Sequence, residues 1–330
     1  MMEKLVITGT ATMQPEHKFL REEGDANRPV MTFSDVQLAT TLKRQTPLSA
    51  LLCGLCEEMF ERALLSPTEA FGNETGLVSG AYYGCMGVTQ EILATLREKG
   101  PRGIDAIEFA KATHSFPLSA VSIAFKLHGP AAAAVSGELA SLDALIMACD
   151  WLQARRCERV LVVGYEQYSP LLQAHVQHLD ARSYFSDSLS IVMLETQRSA
   201  HGRGAPILAE LSCVVPLSGD QKKVLSQCQQ ALQRFHIPHN ECAIHASSTL
   251  HPVAQQLMQQ VCEGYSSPHE RYPTSPLPQL MGAATVCQLA SLAGARPDNI
   301  EHWLLHTFTE KGGGMIHLRF AQTAGGNHER

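Results

Sequence analysis

The sequence is short of charge and of aromatic rings: charged residues make up 18% of its 330 positions and Phe, Trp and Tyr only 6%, with two Trp. Acids outnumber bases and the formal net charge is −6, so bulk electrostatics give no attraction to nucleic acid or to an anionic membrane. Any anion-binding patch has to be local. No uninterrupted apolar span of about 18 residues occurs, and no charged-then-apolar leader with a cleavage site is found, which leads to the expectation of a cytoplasmic protein without membrane insertion. Paired cysteine motifs are scarce as well. Cys53 and Cys56 form a lone C-x-x-C with no second pair to complete a zinc site. The ten cysteines are scattered through apolar runs, Cys149 and Cys287 in helix-like ones, Cys213 and Cys242 in strand-like ones. That is the usage of reduced core residues, and neither a metal nor another cofactor is expected.

What is present is a chain 45% hydrophobic, long enough to bury a sizeable core. Short β-branched or apolar runs alternate with longer helical ones, the pattern of a layered α/β protein. Strands are expected at 5–9, 75–79, 131–135, 159–164 and 189–195, and helices at 47–65, 88–99, 119–127 and 139–155. Leu139, Leu142, Leu145, Ile146, Cys149 and Leu152 nearly encircle the last of these, which predicts a central helix. After a charged, Gly-containing link at 197–204 a second round begins, with strands at 207–215 and 242–246 and helices at 221–235, 252–264 and 282–293. A terminal hairpin over 303–320 is expected to turn at Gly312, Gly313 and Gly314. Two similar α/β halves follow, 1–200 and 201–330, with a frayed tail at the end.

Several motifs fall in order along this layout. Gly129-Pro130 precedes a small-residue strand expected to be buried through Val135, then Glu138 at the head of the central helix, then Val162-Val163-Gly164-Tyr165-Glu166 closing the next strand. His245-Ala246-Ser247-Ser248-Thr249, Leu280-Met281-Gly282-Ala283-Ala284 and Lys311-Gly312-Gly313-Gly314-Met315 come later. Together they resemble the β-ketoacyl synthase family, and so imply a thiolase-like fold: two similar α/β halves in a layered αβαβα sandwich. In elongating members a nucleophilic cysteine opens the central helix, and that position is Glu138 here. The resemblance implies that His245 keeps the first histidine of the H-G-T-G-T loop. The second histidine falls on Gln279, the lysine of that segment near Thr274, and the gating phenylalanine on Lys311.

These departures have chemical consequences. A condensing enzyme needs a thiolate to hold the acyl chain as a thioester, and the amino end of a helix favours that charge. An acylated carboxylate is a mixed anhydride, too reactive to carry a growing chain, and a Glu side chain in its ordinary range is ionised near neutral pH. Decarboxylation of a malonyl thioester needs hydrogen-bond donors at the enolate oxygen, and with His245 alone that set is half dismantled. Ser136 and Ser141 flank the spot, but no orienting acid is identifiable from the sequence. Two readings of Glu138 stand: a lost nucleophile whose buried acid needs a partner, possible across a subunit boundary, or a first-turn acid with Ser136 as cap, contributing about 0.3–1 kcal/mol.

The resemblance further implies a noncatalytic subunit of chain length factor type, paired with an active β-ketoacyl synthase and serving an acyl carrier protein. The brevity of the stretch between Gln167 and Asp187 is similar to partners in polyene-making, highly reducing type II systems such as those for aryl polyenes. A malonyl-carrier decarboxylase and a homodimeric scaffold are the alternatives. The strand containing Ala133 and Val135 is placed by the resemblance at the dimer interface, with Tyr82 and Tyr83 beside the acyl tunnel. The bland reading of the two tyrosines is core packing. His245 alone reads equally as a core or loop histidine. Arg155 and Arg156 are a solvated helix end or a contact for an acidic carrier protein.

Overall fold

In a computed structural model of the chain, the structure describes residues 3–13, 45–66, 72–179, 184–238, 242–246, 254, 256, 259–261, 270–271, 278–295, 300–310 and 312–321. Thr274, Lys311, residues 247–249 and the expected tail at 323–330 lie outside the described residues.

Strands β1 (Leu5–Met13), β2 (Thr75–Gly80), β3 (Ala131–Ala134), β4 (Arg159–Glu166) and β6 (Ser188–Thr196) line up as β1-β6-β4-β2-β3. Strands β7 (Ala209–Ser218), β8 (Cys242–Ala246), β9 (Glu270–Arg271), β11 (His302–Thr309) and β12 (Gly312–Arg319) line up as β7-β12-β11-β8-β9. The order is the same in both sets, and so is the direction of each pairing, two antiparallel ladders followed by two parallel ones. A short antiparallel pairing of Leu5, Val6 and Ile7 with Leu211, Glu210 and Ala209 joins the sets. The two-residue strands β5 (Tyr184–Phe185) and β10 (Pro278–Gln279) pair separately.

Period-2 alternation distributes the side chains among layers. Leu161, Val163 and Tyr165 of β4 pack with α1 (Pro47–Arg62) and α4 (Phe116–Ala124) on one face. Val160 and Val162 face the other way, against α5 (Ala140–Gln153) and α9 (Ala284–Ala295), which also meet Trp303, Leu305 and Ile316 of the second set. Leu304, Phe308 and Met315 cover α8 (Gln221–Arg234). Helix, sheet, helices, sheet and helix therefore alternate, the expected αβαβα sandwich. The remaining helices, α2 (Met86–Lys99), α3 (Ala106–Lys111), α6 (Pro170–Leu179) and α7 (Gln197–Gly202), are peripheral to these layers.

The structure departs from the sequence expectations in several places. The 197–204 link is largely helix α7, started by Thr196, whose hydroxyl accepts from Ser199 N. The strand at 131–135 is not buried: β3 is the edge of its sheet, Ala131 is exposed and Val135 is 51% exposed. An edge strand of alanines offers little to cover itself. Gly312, Gly313 and Gly314 lie within β12, where Thr309 pairs with Gly312. They are needed for close approach, since a Cβ at Gly313 would stand 2.2 Å from Thr307 O and one at Gly314 2.5 Å from the Leu142 side chain. Finally, α5 starts at Ala140 after a 3-10 turn, Gly137–Leu139.

One polar junction ties β1, β6, α7 and the end of α1 together. Glu195 of β6 is fully buried and receives the Arg203 guanidinium and the Thr8 hydroxyl, the latter at 2.9 Å. Arg203 Nη1 also donates to Ala63 O at 2.7 Å, beyond the end of α1. Arg203→Ala strands a carboxylate in the core and is expected to cost about 3–5 kcal/mol, measured as the shift in denaturant-unfolding free energy. A loss below about 1 kcal/mol would mean the pair behaves as a surface ion pair.

Candidate functional site

The turn Gly137–Leu139 brings Glu138 to the head of α5. Gly137 takes φ 73°, which lets the chain leave β3 and enter the helix within three residues. Glu138 is half-buried. Its turn packs against the 3-10 turn Met281–Ala283 that precedes α9, and against β11. Ser136 does not cap the helix. Its hydroxyl donates to the Asp143 carboxylate instead, an acid that sequence reasoning did not single out. Ser141 is fully buried and its Oγ accepts from Thr285 N at 3.1 Å. The Thr285 hydroxyl in turn lies 3.1 Å from that of Thr307, so this serine is part of a structural chain linking α5, α9 and β11.

Opposite Glu138 stands the loop after β2. The Tyr82 and Tyr83 rings stack with centroids 4.2 Å apart and 21° between planes. Tyr82 is 38% exposed, whereas Tyr83 leans on a small cluster made by Leu172, Val176, Phe185 and Met281. Burial pushes the Tyr83 phenol up to about 12, with Tyr82, Glu166 and Glu138 adding in the same direction. Neither ring belongs to the main core, and Tyr83 and Glu138 are electrostatic neighbours.

The loop is held by a residue to which sequence reasoning assigns no role. Glu166, at the end of β4, is fully buried and accepts from the backbone N–H groups of Tyr82 (2.5 Å), Tyr83 (3.0 Å), Gly84 (2.9 Å) and Gly282 (3.1 Å). Gly282 is required there, because a Cβ would stand 2.4 Å from Tyr82 N. An acid closing an otherwise apolar strand is the signal that identifies Glu166 in the sequence. Burial raises its pKa from 4.5 to about 7, against the pull of the four N–H donors.

The remaining sequence candidates are spread around this centre. Gln279 is in β10, paired with Phe185 and two residues ahead of the 281–283 turn. His245 is half-buried in β8, paired with Leu305 of β11, the strand that touches the Glu138 turn. Beside it in β11 is His306, also missed from sequence; it is fully buried, stacks on Phe308, and burial lowers its pKa to about 3, so it is neutral at physiological pH. Ala133 is half-buried and Val135 exposed, both at the sheet edge beside Glu138. Arg155 and Arg156 are exposed at the far end of α5, where Arg155 takes φ 56° and both backbone N–H groups close the helix. Among the described residues no group of three or more His, Cys, Asp or Glu is placed to hold a metal, the nine described cysteines are free thiols, and no helix is long and apolar enough to cross a membrane.

Residues 8–186, more than half of the chain, match the N-terminal domain of β-ketoacyl synthases. The chain belongs to the β-ketoacyl synthase family. Three solved structures are similar to this ketosynthase-like chain along its whole length. The AntDE:AntF complex, a type II PKS acyl-carrier protein with its ketosynthase bound to the hexaketide, gives a TM-score of 0.79 at 16% identity, covering 98% of this chain and 100% of that one. The ishigamide ketosynthase/chain length factor gives 0.77 at 13% identity, covering 97% and 100%. A β-ketoacyl synthase from Burkholderia phymatum gives 0.76 at 14%, again covering 97% and 100%. At these identities the likeness establishes the thiolase-like ketosynthase fold. Among curated proteins no sequence matches.

The raised pKa of Glu166 carries a sign that can be measured. The folded state holds this proton more tightly than the unfolded chain, so the group's contribution to stability is fully present below about 4.5 and is lost as pH rises through about 7. The stability difference between wild type and Glu166→Gln should therefore shrink as denaturant titrations move from acidic to alkaline buffers across that window. A difference that grows with pH would show that the four donors, not desolvation, govern this carboxyl.

Proposed function

We propose that this chain is a noncatalytic ketosynthase-like subunit, of the chain length factor kind, that pairs with an active β-ketoacyl synthase and shapes the tunnel receiving an acyl chain from an acyl carrier protein. The observation that carries this reading is Glu138 at the head of the central helix, in the position that the family's nucleophilic cysteine occupies. The fold around it is intact, down to the Gly282 and Glu166 junction, while the group that forms the thioester is gone. Gln279 and Lys311, in place of the second histidine and the gating phenylalanine, take away further parts of the condensing machinery. On this reading the degenerate centre is Glu138, His245, Gln279 and Lys311, the chain divides near residue 200 into two thiolase-like halves, and the protein works in the cytoplasm.

The kind of partner is supported by similarity to structures described as a ketosynthase with its acyl-carrier protein and as a ketosynthase/chain length factor. The exposed edge strand β3, with Val135 beside it, supplies the surface for a ketosynthase partner. An obligate pair of this type buries more than about 2,000 Å². The exposed Arg155 and Arg156 are available to an acidic carrier protein. A polyene-making, aryl polyene-like system is the subtype assigned to the short 167–187 stretch.

Co-expression with a ketosynthase encoded beside it should give a stoichiometric complex on affinity purification through either subunit, and a well-behaved monomer that ignores the ketosynthase would overturn the reading. Glu138→Cys should not create condensation in that complex, because the other parts of the machinery are still missing; self-acylation followed by chain extension would make the chain an enzyme. Glu138→Ala should weaken assembly by about 1–3 kcal/mol if it strands a buried partner.

The Tyr82–Tyr83 stack is proposed as the stop of the tunnel, a rigid aromatic wall against which a further two-carbon unit has no room. Tyr83→Ala in the reconstituted complex should move products to longer chains while turnover continues. An unchanged product distribution from both Tyr82→Ala and Tyr83→Ala would leave these rings as local packing.

A further inference from the structure

The central helix α5 is covered on most of its surface but not all. Leu142, Leu145, Ala148 and Leu152 are buried between the two sheets, whereas Asp143, Ile146 and Met147 are half-buried and Asp150 is exposed. Spacings of three and four place these last four on one stripe of the helix. The helix packs on β3 as well as on β2 and β4, so it adjoins the end of the sheet where β3 forms the edge, and Ile146 and Met147 also rest on the core. Its centre is apolar and its two ends are carboxylates. Asp143, in the first turn, suits the positive end of the helix dipole and takes the Ser136 hydroxyl, but Asp150 is in the last turn, where a negative charge opposes the dipole and the basic residues Arg155 and Arg156 follow only after the helix has ended.

The arrangement has a consequence for two-fold pairing. Asp143 and Asp150 are equidistant along the sequence from the point between Ile146 and Met147. When two copies of this helix pack antiparallel about that point, Ile146 of one meets Met147 of the other, and Asp143 of each is brought against Asp150 of its mate. The like-charge contact occurs twice. We propose that this stripe selects a heterologous partner by rejecting a second copy of the same chain, the accepted partner being a ketosynthase-fold chain whose own central helix carries Lys or Arg opposite Asp143 and Asp150. The inference deepens the heterodimer reading and rests on it. Apolar contact at the centre supplies attraction to either partner, and the flanking charges decide between them.

The protein itself serves as the probe. Asp150→Lys turns both like-charge contacts of a self-pair into opposite-charge ones, so by sedimentation velocity its self-association should be tighter than wild type by about tenfold or more. The double variant Asp143→Lys with Asp150→Lys should self-associate as poorly as wild type, yet the two mixed together should form a mixed dimer. Raising salt should strengthen wild-type self-association by screening the repulsion, a readout that needs no variant to fold. Asp150→Lys without tighter self-association, or no preference for the mixed dimer, overturns the charge code. If the wild type still co-purifies with a neighbouring ketosynthase in that case, the heterodimer reading survives without it. A wild-type homodimer that is tight at low salt overturns both.

Discussion

The carboxylate of Glu166 is the interaction on which the arrangement of the site depends. It has no exposure to water, and its two oxygens each take two backbone N–H groups, from the 82–84 loop and from Gly282 ahead of α9. A buried carboxylate without donors is prohibitively costly, and loops without secondary structure leave N–H groups unpaired. Each defect satisfies the other. The loop that carries Tyr82 and Tyr83 and the turn that packs on Glu138 are thereby fixed relative to the end of β4, and Gly282 allows the two to approach without a clash. Desolvation still outweighs the donors in setting the proton affinity of Glu166.

Most of the layered fold was legible in the sequence because it rests on periodicity. The alternation in β4 sorts Val160 and Val162 from Leu161 and Val163, and the nearly all-round apolar pattern of α5 signals a helix between two sheets. The free edge of β3 was not legible, since a run of alanines reads the same in a buried strand as in one at the edge of a sheet. Gly312, Gly313 and Gly314 carry a similar ambiguity. Three glycines suit a turn, and only the packing of Leu142 and Thr307 against β12 reveals that they serve close approach. Single contacts between residues far apart in the chain were out of reach, such as Glu166 to Gly282, and Ser136 turned to Asp143 instead of capping the helix.

The candidate site was legible in part, and for a different reason. The position of Glu138 stood out because an acid interrupts a small, apolar run, and the structure places it beside Tyr83 and the 281–283 turn. His245 and His306 show the limit of that kind of reading. Both are histidines on neighbouring parallel strands, but His245 is half-buried, whereas His306 is enclosed so completely that it does not take up a proton near neutral pH. A sequence gives residue type and spacing; it does not give the depth at which a side chain is held.

On the proposed reading, glutamate in place of cysteine at the head of α5 is electrostatically conservative even though it ends one chemistry. The amino end of a helix presents unpaired N–H groups and a positive partial charge, and it stabilises a thiolate and a carboxylate alike. A glutamate there keeps the sign of the charge, so the first turn of α5 need not be rebuilt. What a carboxylate lacks beside a thiolate, and a dipole cannot supply, is an acyl product stable enough to wait for a next unit. The turn that carries Glu138 packs against α9 and β11, so the charge it holds is fixed next to the open edge of the sheet at β3.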